Sequence, residues 1–206
     1  MQLLDMIRDI VRSVMKNIAK ALNTMTGGGL TPNAVTIVGL LAHLPIAYLI
    51  ATSHNLKAAL LLVIFGLFDT LDGELARLQK RDSPAGMLLD ASTDRFKEVM
   101  LYTGAAYAIT VGNHPMMAGW AVLACGASLC VSYVKAKGET AVAKSHLSTS
   151  QVNRLFADGL MRFEVRMAVL VIGLLSNRII LAVVVIAILS SVTAVQRLIV
   201  ITKKLS

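Results

Sequence analysis

Four aspartates lie close together between apolar stretches of the chain: Asp69, Asp72, Asp90 and Asp94. An ionised carboxylate at membrane depth costs several kcal/mol unless it is paired or faces water. Four such charges also repel one another, so they require a cationic partner if they meet. Ligands that offer only oxygen, with no His or Cys among them, favour a hard divalent ion such as magnesium, manganese or calcium. The residue types therefore predict a metal site that could hold two ions.

Helical spacing divides these acids, together with three small residues, between two helix faces. One face carries Asp69, Asp72, Gly73 and Ala76, and the other carries Gly86, Asp90 and Asp94. Two antiparallel helices joined by the segment LQKRDSP could turn these faces toward each other, and the small residues would leave room for a bulky anionic group. A single intramembrane acid could instead serve a transporter, and small residues usually serve helix packing. The combined spacing favours the metal site.

The composition of the chain indicates the environment of this site. Of the 206 residues 56% are hydrophobic, which is more than soluble domains usually contain. Such a chain has room for about six membrane spans of about 20 residues each. The predicted spans are 33–52, 56–80, 86–111, 115–137, 160–176 and 178–200, with a polar connector at 138–153. The predicted fold class is an all-α integral membrane protein with six transmembrane helices.

Residues 1–26 have the pattern of an amphipathic helix that precedes the spans and lies on the membrane surface. Apolar residues recur at helical spacing, and a second stripe holds Arg8, Arg12, Lys16 and Lys20. A basic leader helix without a lipid role is the alternative. Residues 27–206 then form the six-helix domain.

The distribution of charge indicates membrane orientation. The net charge is +8, and the basic residues fall mainly between apolar runs, without the interleaved aromatic residues of a nucleic-acid surface. They concentrate in the N-terminal segment, in the loops after the second and fourth spans, and at the C-terminus. The positive-inside rule then places both termini and the aspartates on the cytoplasmic side. We expect a multi-pass protein of the cell membrane with a lipid partner and no nucleic-acid partner.

The spacing of the aspartates resembles the signature of the CDP-alcohol phosphatidyltransferase family at every fixed position. These positions are Asp69, Asp72, Gly73, Ala76, Arg77, Gly86, Asp90 and Asp94. The resemblance covers about residues 26–200. It implies six transmembrane helices, a homodimer, and transfer of a phosphatidyl group from a CDP-linked lipid to an alcohol with release of CMP.

The resemblance also implies a role for each residue of the site. Asp69, Asp72 and Asp90 would be ligands of magnesium, with manganese as the alternative and two ions in all. Asp94 would be both a ligand and the general base that takes the proton of the attacking hydroxyl. The CDP-linked donor would be held by Asn33, Thr36, Gly73, Ala76, Arg77, Ser83 and Gly86. For the segment TPNAVT, which holds Asn33 and Thr36, an ordinary helix start is the alternative, and both readings can hold at once.

Basic residues near the ends of the last three spans predict an acceptor that carries a phosphate. Lys135, Arg166 and Arg197 are expected at membrane depth, where a cation needs an anionic partner such as a phosphate. Their segments are similar to those of phosphatidylinositol-phosphate and archaetidylinositol-phosphate synthases, in which matching residues hold the phosphate of inositol phosphate. Around Arg166 the chain lacks the proline of those relatives and has one residue more, so Arg162 is the alternative ligand. As a further alternative, these basic side chains bind no acceptor and only extend to the membrane interface, where they set the orientation of the spans.

The sequence leaves other substrates open. Glycerol 3-phosphate would also offer a phosphate to the basic residues, CDP-inositol could replace the lipid donor, and the lipid itself is CDP-diacylglycerol or CDP-archaeol. A cation transporter is a different class of function. The chain lacks the paired broken helices in two related halves that many transporters show.

Overall fold

The computed structural model describes residues 2–142 and 160–205, and over those ranges it contains helices and no strand. The α-helices are α1 (Gln2–Met25), α2 (Pro32–Ala51), α3 (Asn55–Gly66), α4 (Phe68–Gln79), α5 (Pro84–Val111), α6 (Ala118–Val142), α7 (Phe163–Leu175) and α8 (Ile179–Leu205), with a 3-10 turn at Pro115–Met117. The all-α fold class predicted from the sequence is confirmed.

Three helical stretches within the described residues are long and apolar enough to cross a membrane. They are Pro32–Ala51, Pro115–Ala141 and Ile179–Lys203, which correspond to the first, fourth and sixth predicted spans. By contrast, α7 has 13 residues, fewer than the about 20 that a perpendicular span needs. The chain is therefore that of a membrane protein, while the number of six spans stays a prediction.

The second predicted span, 56–80, is not one helix. α3 ends at Gly66, the Leu67 N–H donates to the Ile64 carbonyl at 3.2 Å, and α4 begins at Phe68. Glycine is unfavourable in a helix interior by about 1 kcal/mol relative to alanine, which makes Gly66 a suitable place for the interruption. The prediction of a single helix was wrong here. As a result, Asp69 and Asp72 lie in the first turns of a separate short helix.

The polar connector predicted at 138–153 is helical in its first part. α6 continues past the charged residues that suggested its end and ends at Val142. The rest of the connector lies outside the described residues.

One compact unit contains the chain up to Tyr48 and from Leu60 to Met100. Its core forms where Met15 and Ala19 of α1 pack with Leu71 and Leu75 of α4. Other residues of the apolar stripe of α1 stay exposed, Met6 at 53% and Ile10 at 56%. Part of the apolar stripe of α1 therefore packs on α4, and the other part stays exposed.

The second compact unit contains Leu49–Ala59 and the chain from Leu101 onward. In it α6 packs along α8, and α7 packs against α8. Buried polar side chains find partners inside the unit: the hydroxyls of Tyr102 and Ser128 lie 3.3 Å apart, and the Met161 N–H donates to Thr193 Oγ1 at 3.3 Å. Such bonds join neighbouring segments within the unit.

α7 and α8 approach each other closely because residue 173 has no side chain. A Cβ on Gly173 would lie 2.3 Å from the Cβ of Ala182, much closer than two carbon atoms can approach. A Cβ on Gly126 of α6 would meet nothing within 4 Å. Gly173 is therefore required for packing, whereas Gly126 is not.

We expect Gly173→Ala to lower the thermal unfolding midpoint of the detergent-solubilised protein. The added methyl group forces α7 and α8 apart, at a cost of about 1–3 kcal/mol. Gly126→Ala is the matched control and should be neutral or stabilising by up to about 1 kcal/mol, since alanine favours the helix. Equal midpoints for the two variants would contradict the close packing of α7 on α8.

Candidate active site

Three of the four aspartates converge where α4 and α5 meet. Asp69 and Asp72 lie on α4 and Asp90 lies on α5. Each offers one carboxylate oxygen, and these oxygens all lie within 4.8 Å of one another. The two predicted helix faces are thus brought together, and their acids form a cluster that can close around a cation.

The carboxylate cluster of Asp69, Asp72 and Asp90 fits a divalent metal ion. One oxygen of Asp90, Oδ1, is buried and has no hydrogen-bond partner among the described residues. A buried carboxylate oxygen that accepts no hydrogen bond is energetically unfavourable unless a bound ligand interacts with it. The donor set consists of oxygen alone, which suits magnesium or manganese better than a softer metal.

Thr36 fixes the orientation of Asp72. Its hydroxyl donates to Asp72 Oδ2 at 2.5 Å, and both residues are buried, at 4% and 6% exposure. A hydrogen bond from a neighbouring residue commonly orients a metal ligand in this way. Thr36, expected from the resemblance to contact the nucleotide, thus also supports the cluster.

Asp94 is not part of the carboxylate cluster but belongs to an ion pair beside it. The ammonium group of Lys97 donates to Asp94 Oδ1 at 3.1 Å and also to Asp69 Oδ1. Lys97 is 1% exposed. The sequence analysis missed this lysine, although Asp90, Asp94 and Lys97 are spaced for one face of a helix and could have been found from that spacing.

A cavity of about 220 Å³ lies beside the cluster. It is lined by Pro32, Asn33, Thr36, Asp72, Gly73, Ala76, Arg77, Arg81, Asp82, Ser83, Gly86, Met87 and Asp90. All seven residues predicted to hold the donor are among them. The structure therefore brings the predicted donor residues of α2, α4 and α5, with Ser83 just before α5, to one cavity next to two of the carboxylates.

Small residues keep the cavity open. A Cβ on Gly73 would meet nothing within 4 Å, so the space over this residue is free for a ligand. A Cβ on Gly86 would lie 3.3 Å from Ser83 Oγ and 3.5 Å from Asn33 Oδ1. Ser83 Oγ in turn accepts the Gly86 N–H at 3.1 Å, which caps the start of α5. Ser83 therefore has a structural role as well as a place on the cavity wall.

Arg77 is held by a neighbour that sequence reasoning did not single out. Glu74 is 6% exposed, and its Oε1 accepts from Arg77 Nη1 at 2.5 Å and from Arg12 Nε at 2.8 Å. The guanidinium of Arg77, 55% exposed, stays accessible at the cavity. Arg12 belongs to α1, and only the tertiary packing of α1 on α4 reveals this contact.

The three residues predicted to hold the acceptor phosphate lie in the second compact unit. Arg166 is 1% exposed and donates through Nη1 to the Met161 carbonyl at 2.7 Å. Arg197 is 6% exposed, and its Nη1 donates to the Val131 carbonyl at 3.3 Å. Lys135 is half exposed and lies 3.8 Å from Glu139. Two of the three predicted cations are thus buried guanidinium groups.

Comparison with known proteins identifies related chains. The model of the CDP-alcohol phosphatidyltransferase family matches residues 29–190. Archaetidylinositol phosphate synthase from Pyrococcus horikoshii is 29% identical over 205 residues, which cover 98% of both chains. Phosphatidylinositol phosphate synthase from Corynebacterium glutamicum is 37% identical over 112 residues, 53% of this chain and 51% of the relative, so the match spans about half of that protein.

Solved structures show the same fold. Phosphatidylinositol phosphate synthase from Mycobacterium tuberculosis with CDP-DAG bound superposes with a TM-score of 0.77 at 26% identity, covering 92% of this chain and 94% of the other. A second structure of that enzyme, in complex with manganese and citrate, has a TM-score of 0.77 at 25% identity and covers 91% and 88%.

We expect Gly73→Leu to weaken the binding of CDP by at least about tenfold, which corresponds to about 1.4 kcal/mol. A Cβ at this position would meet no protein atom within 4 Å, so we expect the fold to stay intact while the leucine side chain fills space above α4. Calorimetric titration with CDP measures the effect, and Gly126→Leu is the matched control in another helix. Unchanged affinity in Gly73→Leu would show that the ligand does not lie over this glycine.

We expect Thr36→Val to weaken the binding of manganese by about 10–100-fold, as is usual when the partner of a metal ligand is lost. Valine keeps the shape of threonine but cannot donate to Asp72. Thr36→Ser keeps the hydroxyl and should bind nearly as well as the unmodified protein. Titration with manganese in the absence of nucleotide separates this effect from any loss of nucleotide contact, and equal affinities of the valine and serine variants would contradict the role.

Proposed function

The chain belongs to the CDP-alcohol phosphatidyltransferase family, and we propose that it transfers a phosphatidyl group from a CDP-activated lipid to a hydroxyl of inositol phosphate and releases CMP. The single observation that carries the proposal is the convergence of Asp69, Asp72 and Asp90 beside a cavity that all predicted donor residues line. The reaction belongs to phospholipid biosynthesis and depends on a divalent ion, magnesium or manganese.

The CDP part of the donor occupies the cavity. The nucleotide lies over Gly73 and Ala76, where no side chain obstructs it, within reach of Asn33, Thr36, Ser83 and Gly86. Arg77, oriented by Glu74, binds the diphosphate through its fork of N–H donors. The cluster of Asp69, Asp72 and Asp90 holds the metal, which when bound supplies charge neutralisation and orientation to the diphosphate. Structures of the Mycobacterium tuberculosis relative with CDP-DAG bound and in complex with manganese and citrate support a CDP-activated lipid and a divalent ion as the ligands of this chain.

Asp94 is the general base of the transfer. It accepts the proton of the acceptor hydroxyl while that oxygen forms a bond to the phosphorus on the lipid side of the diphosphate. The bond from this phosphorus to the bridging oxygen breaks, and CMP leaves with the electron pair. Two ions, as the family resemblance implies, would draw Asp94 into the metal site as a fourth ligand.

The acceptor carries a phosphate, which Lys135, Arg166 and Arg197 bind. A guanidinium group can bind phosphate through two parallel N–H···O hydrogen bonds. Arg166 and Arg197 each donate to a backbone carbonyl as well, which limits the motion of their side chains. The relatives named as inositol phospholipid synthases support inositol phosphate as the acceptor. Their names include both archaetidyl and phosphatidyl products, so the donor is CDP-archaeol or CDP-diacylglycerol.

The protein spans the membrane six times as a homodimer, with both termini and the site on the cytoplasmic side. Residues 1–26 form an interfacial helix in this arrangement and 27–206 form the catalytic domain. The exposed apolar residues of α1, among them Met6 and Ile10, support its contact with lipid. The basic residues Arg8, Lys16 and Lys20 on the same helix suit anionic headgroups.

We expect membranes that contain the protein to release CMP when they receive magnesium, a CDP-activated lipid and inositol phosphate. Asp94→Asn should lower the rate by about 10²–10⁴-fold, because an amide cannot accept the proton. Asp9→Asn, the same change at an aspartate of α1, should leave it unchanged. Parallel assays decide between the alternative substrates. In one, glycerol 3-phosphate replaces inositol phosphate as the acceptor, and in another CDP-inositol replaces the CDP-activated lipid as the donor. CMP release only with glycerol 3-phosphate would overturn the inositol assignment, and no release with any pair would overturn the transferase.

A further inference from the structure

Arg12 connects α1 to the wall of the donor cavity, although it does not line the cavity itself. Its Nε donates to Glu74 Oε1 at 2.8 Å, and the same oxygen accepts from Arg77 Nη1 at 2.5 Å. Glu74 is 6% exposed, whereas the side chains of Arg12 and Arg77 are 57% and 55% exposed. One buried carboxylate oxygen therefore holds two guanidinium groups, and of these two Arg77 is the one that reaches the cavity.

The packing of α1 on α4 fixes the position of Arg12. Arg12 precedes Met15 by three residues and Ala19 by seven, so the three side chains share one face of α1. Met15 and Ala19 pack against two leucines of α4 that lie on either side of Glu74 in the sequence. The contact of Arg12 with Glu74 is therefore part of the interface between the two helices, beside its apolar core.

The balance of charge in this group bears on how strongly Arg77 attracts an anion. Arg77 and Glu74 alone would form a neutral pair, because one carboxylate balances one guanidinium. Arg12 adds a second guanidinium, so the group of three has a net positive charge. Glu74 engages Nη1 of Arg77, and Nη2 can donate to a phosphate oxygen. The strength with which Arg77 attracts a diphosphate then depends on a residue of α1 outside the cavity.

We propose that Arg12 is a positioning residue of the donor site, which acts through Glu74: it fixes the carboxylate that holds Arg77 and balances the charge of that carboxylate. The inference rests on the proposed function, in which Arg77 binds the diphosphate of the CDP-linked donor. It gives α1 a part in donor binding in addition to its contact with lipid. Arg12 touches neither substrate, so its loss weakens donor binding and leaves the transfer step unchanged.

Titration calorimetry of the full-length protein in detergent, with CDP and magnesium, tests the proposal. Arg12→Gln should weaken CDP binding by about three- to fivefold, the effect expected for one partly exposed ion pair. Arg12→Lys keeps the positive charge and should bind CDP nearly as well as the unmodified protein. Arg178→Gln is the matched control, because it makes the same change at an exposed arginine between α7 and α8, and it should leave the affinity unchanged.

In the CMP-release assay, Arg12→Gln should raise KM for the CDP-activated lipid by the same factor and leave kcat unchanged. A general loss of structure would instead lower the amount of active enzyme and therefore the apparent kcat. An unchanged KM together with a lowered kcat would overturn the proposal.

A double variant separates the proposed role from a general effect of Arg12 on helix packing. Once Glu74→Gln has removed the carboxylate, Arg12→Gln should cause no further loss of CDP affinity, because the two residues act as one unit. An equal loss with and without Glu74→Gln would overturn the proposal, and so would an unchanged affinity in Arg12→Gln alone. In both of these cases CMP release by the unmodified protein still supports the transferase. An unmodified protein that binds no CDP would overturn the proposed donor site together with this inference.

Discussion

Carboxylates that meet in an apolar environment must be neutralised, and this requirement governs the arrangement of α4 and α5. The like charges of Asp69, Asp72 and Asp90 would drive the two helices apart without a cation between them. The protein meets the requirement in part by itself, since Lys97 bridges α5 to α4 and Thr36 donates to Asp72. The remaining negative charge, with an oxygen of Asp90 that has no hydrogen-bond partner among the described residues, would give the site affinity for a divalent ion. Metal binding and the proposed reaction would thus depend on negative charge that the protein does not neutralise with its own side chains.

α4 can present these carboxylates because one of its faces is apolar and packs on α1, while another faces the cavity. Leu71 and Leu75 pack on α1, which fixes the rotation of the helix and turns Asp72 and Gly73 toward the cavity. The end of the helix is also fixed. Lys80 adopts a left-handed conformation with φ of 52°, and the Arg81 N–H donates to the Ala76 carbonyl at 2.9 Å, a common way to end a helix. The side chain of Gln79 donates to Asn23 Oδ1 and to the Leu30 carbonyl, which ties this end of α4 to the last turn of α1 and to the segment after it.

The parts of the site that sequence reasoning found are those that helix geometry fixes locally. Asp69, Asp72 and Gly73 had to share a face once a helix was assumed, whatever the rest of the fold did. Lys97 follows the same periodicity and was overlooked because the family signature ends at Asp94. The interruption at Leu67 was signalled only by Gly66, and an isolated glycine is common in membrane helices that continue unbroken. The pairing of Arg12 with Glu74 could not be predicted, because it depends on which side of α1 packs on α4.

In the proposed reaction, the residues that would bind the donor and those that would bind the acceptor lie in different parts of the chain and use different chemistry. The donor residues lie in the first compact unit, where small side chains, carboxylates and Arg77 suit a nucleotide diphosphate with its metal. The acceptor residues lie in the second unit, where a guanidinium fork can hold a backbone carbonyl and a phosphate oxygen at fixed angles, which the point charge of lysine cannot do. A change of acceptor during evolution would therefore require new residues around Arg166 and Arg197, while the spacing from Asp69 to Asp94 could stay as it is. This separation explains why the aspartate spacing indicates the reaction type but carries no information about the alcohol.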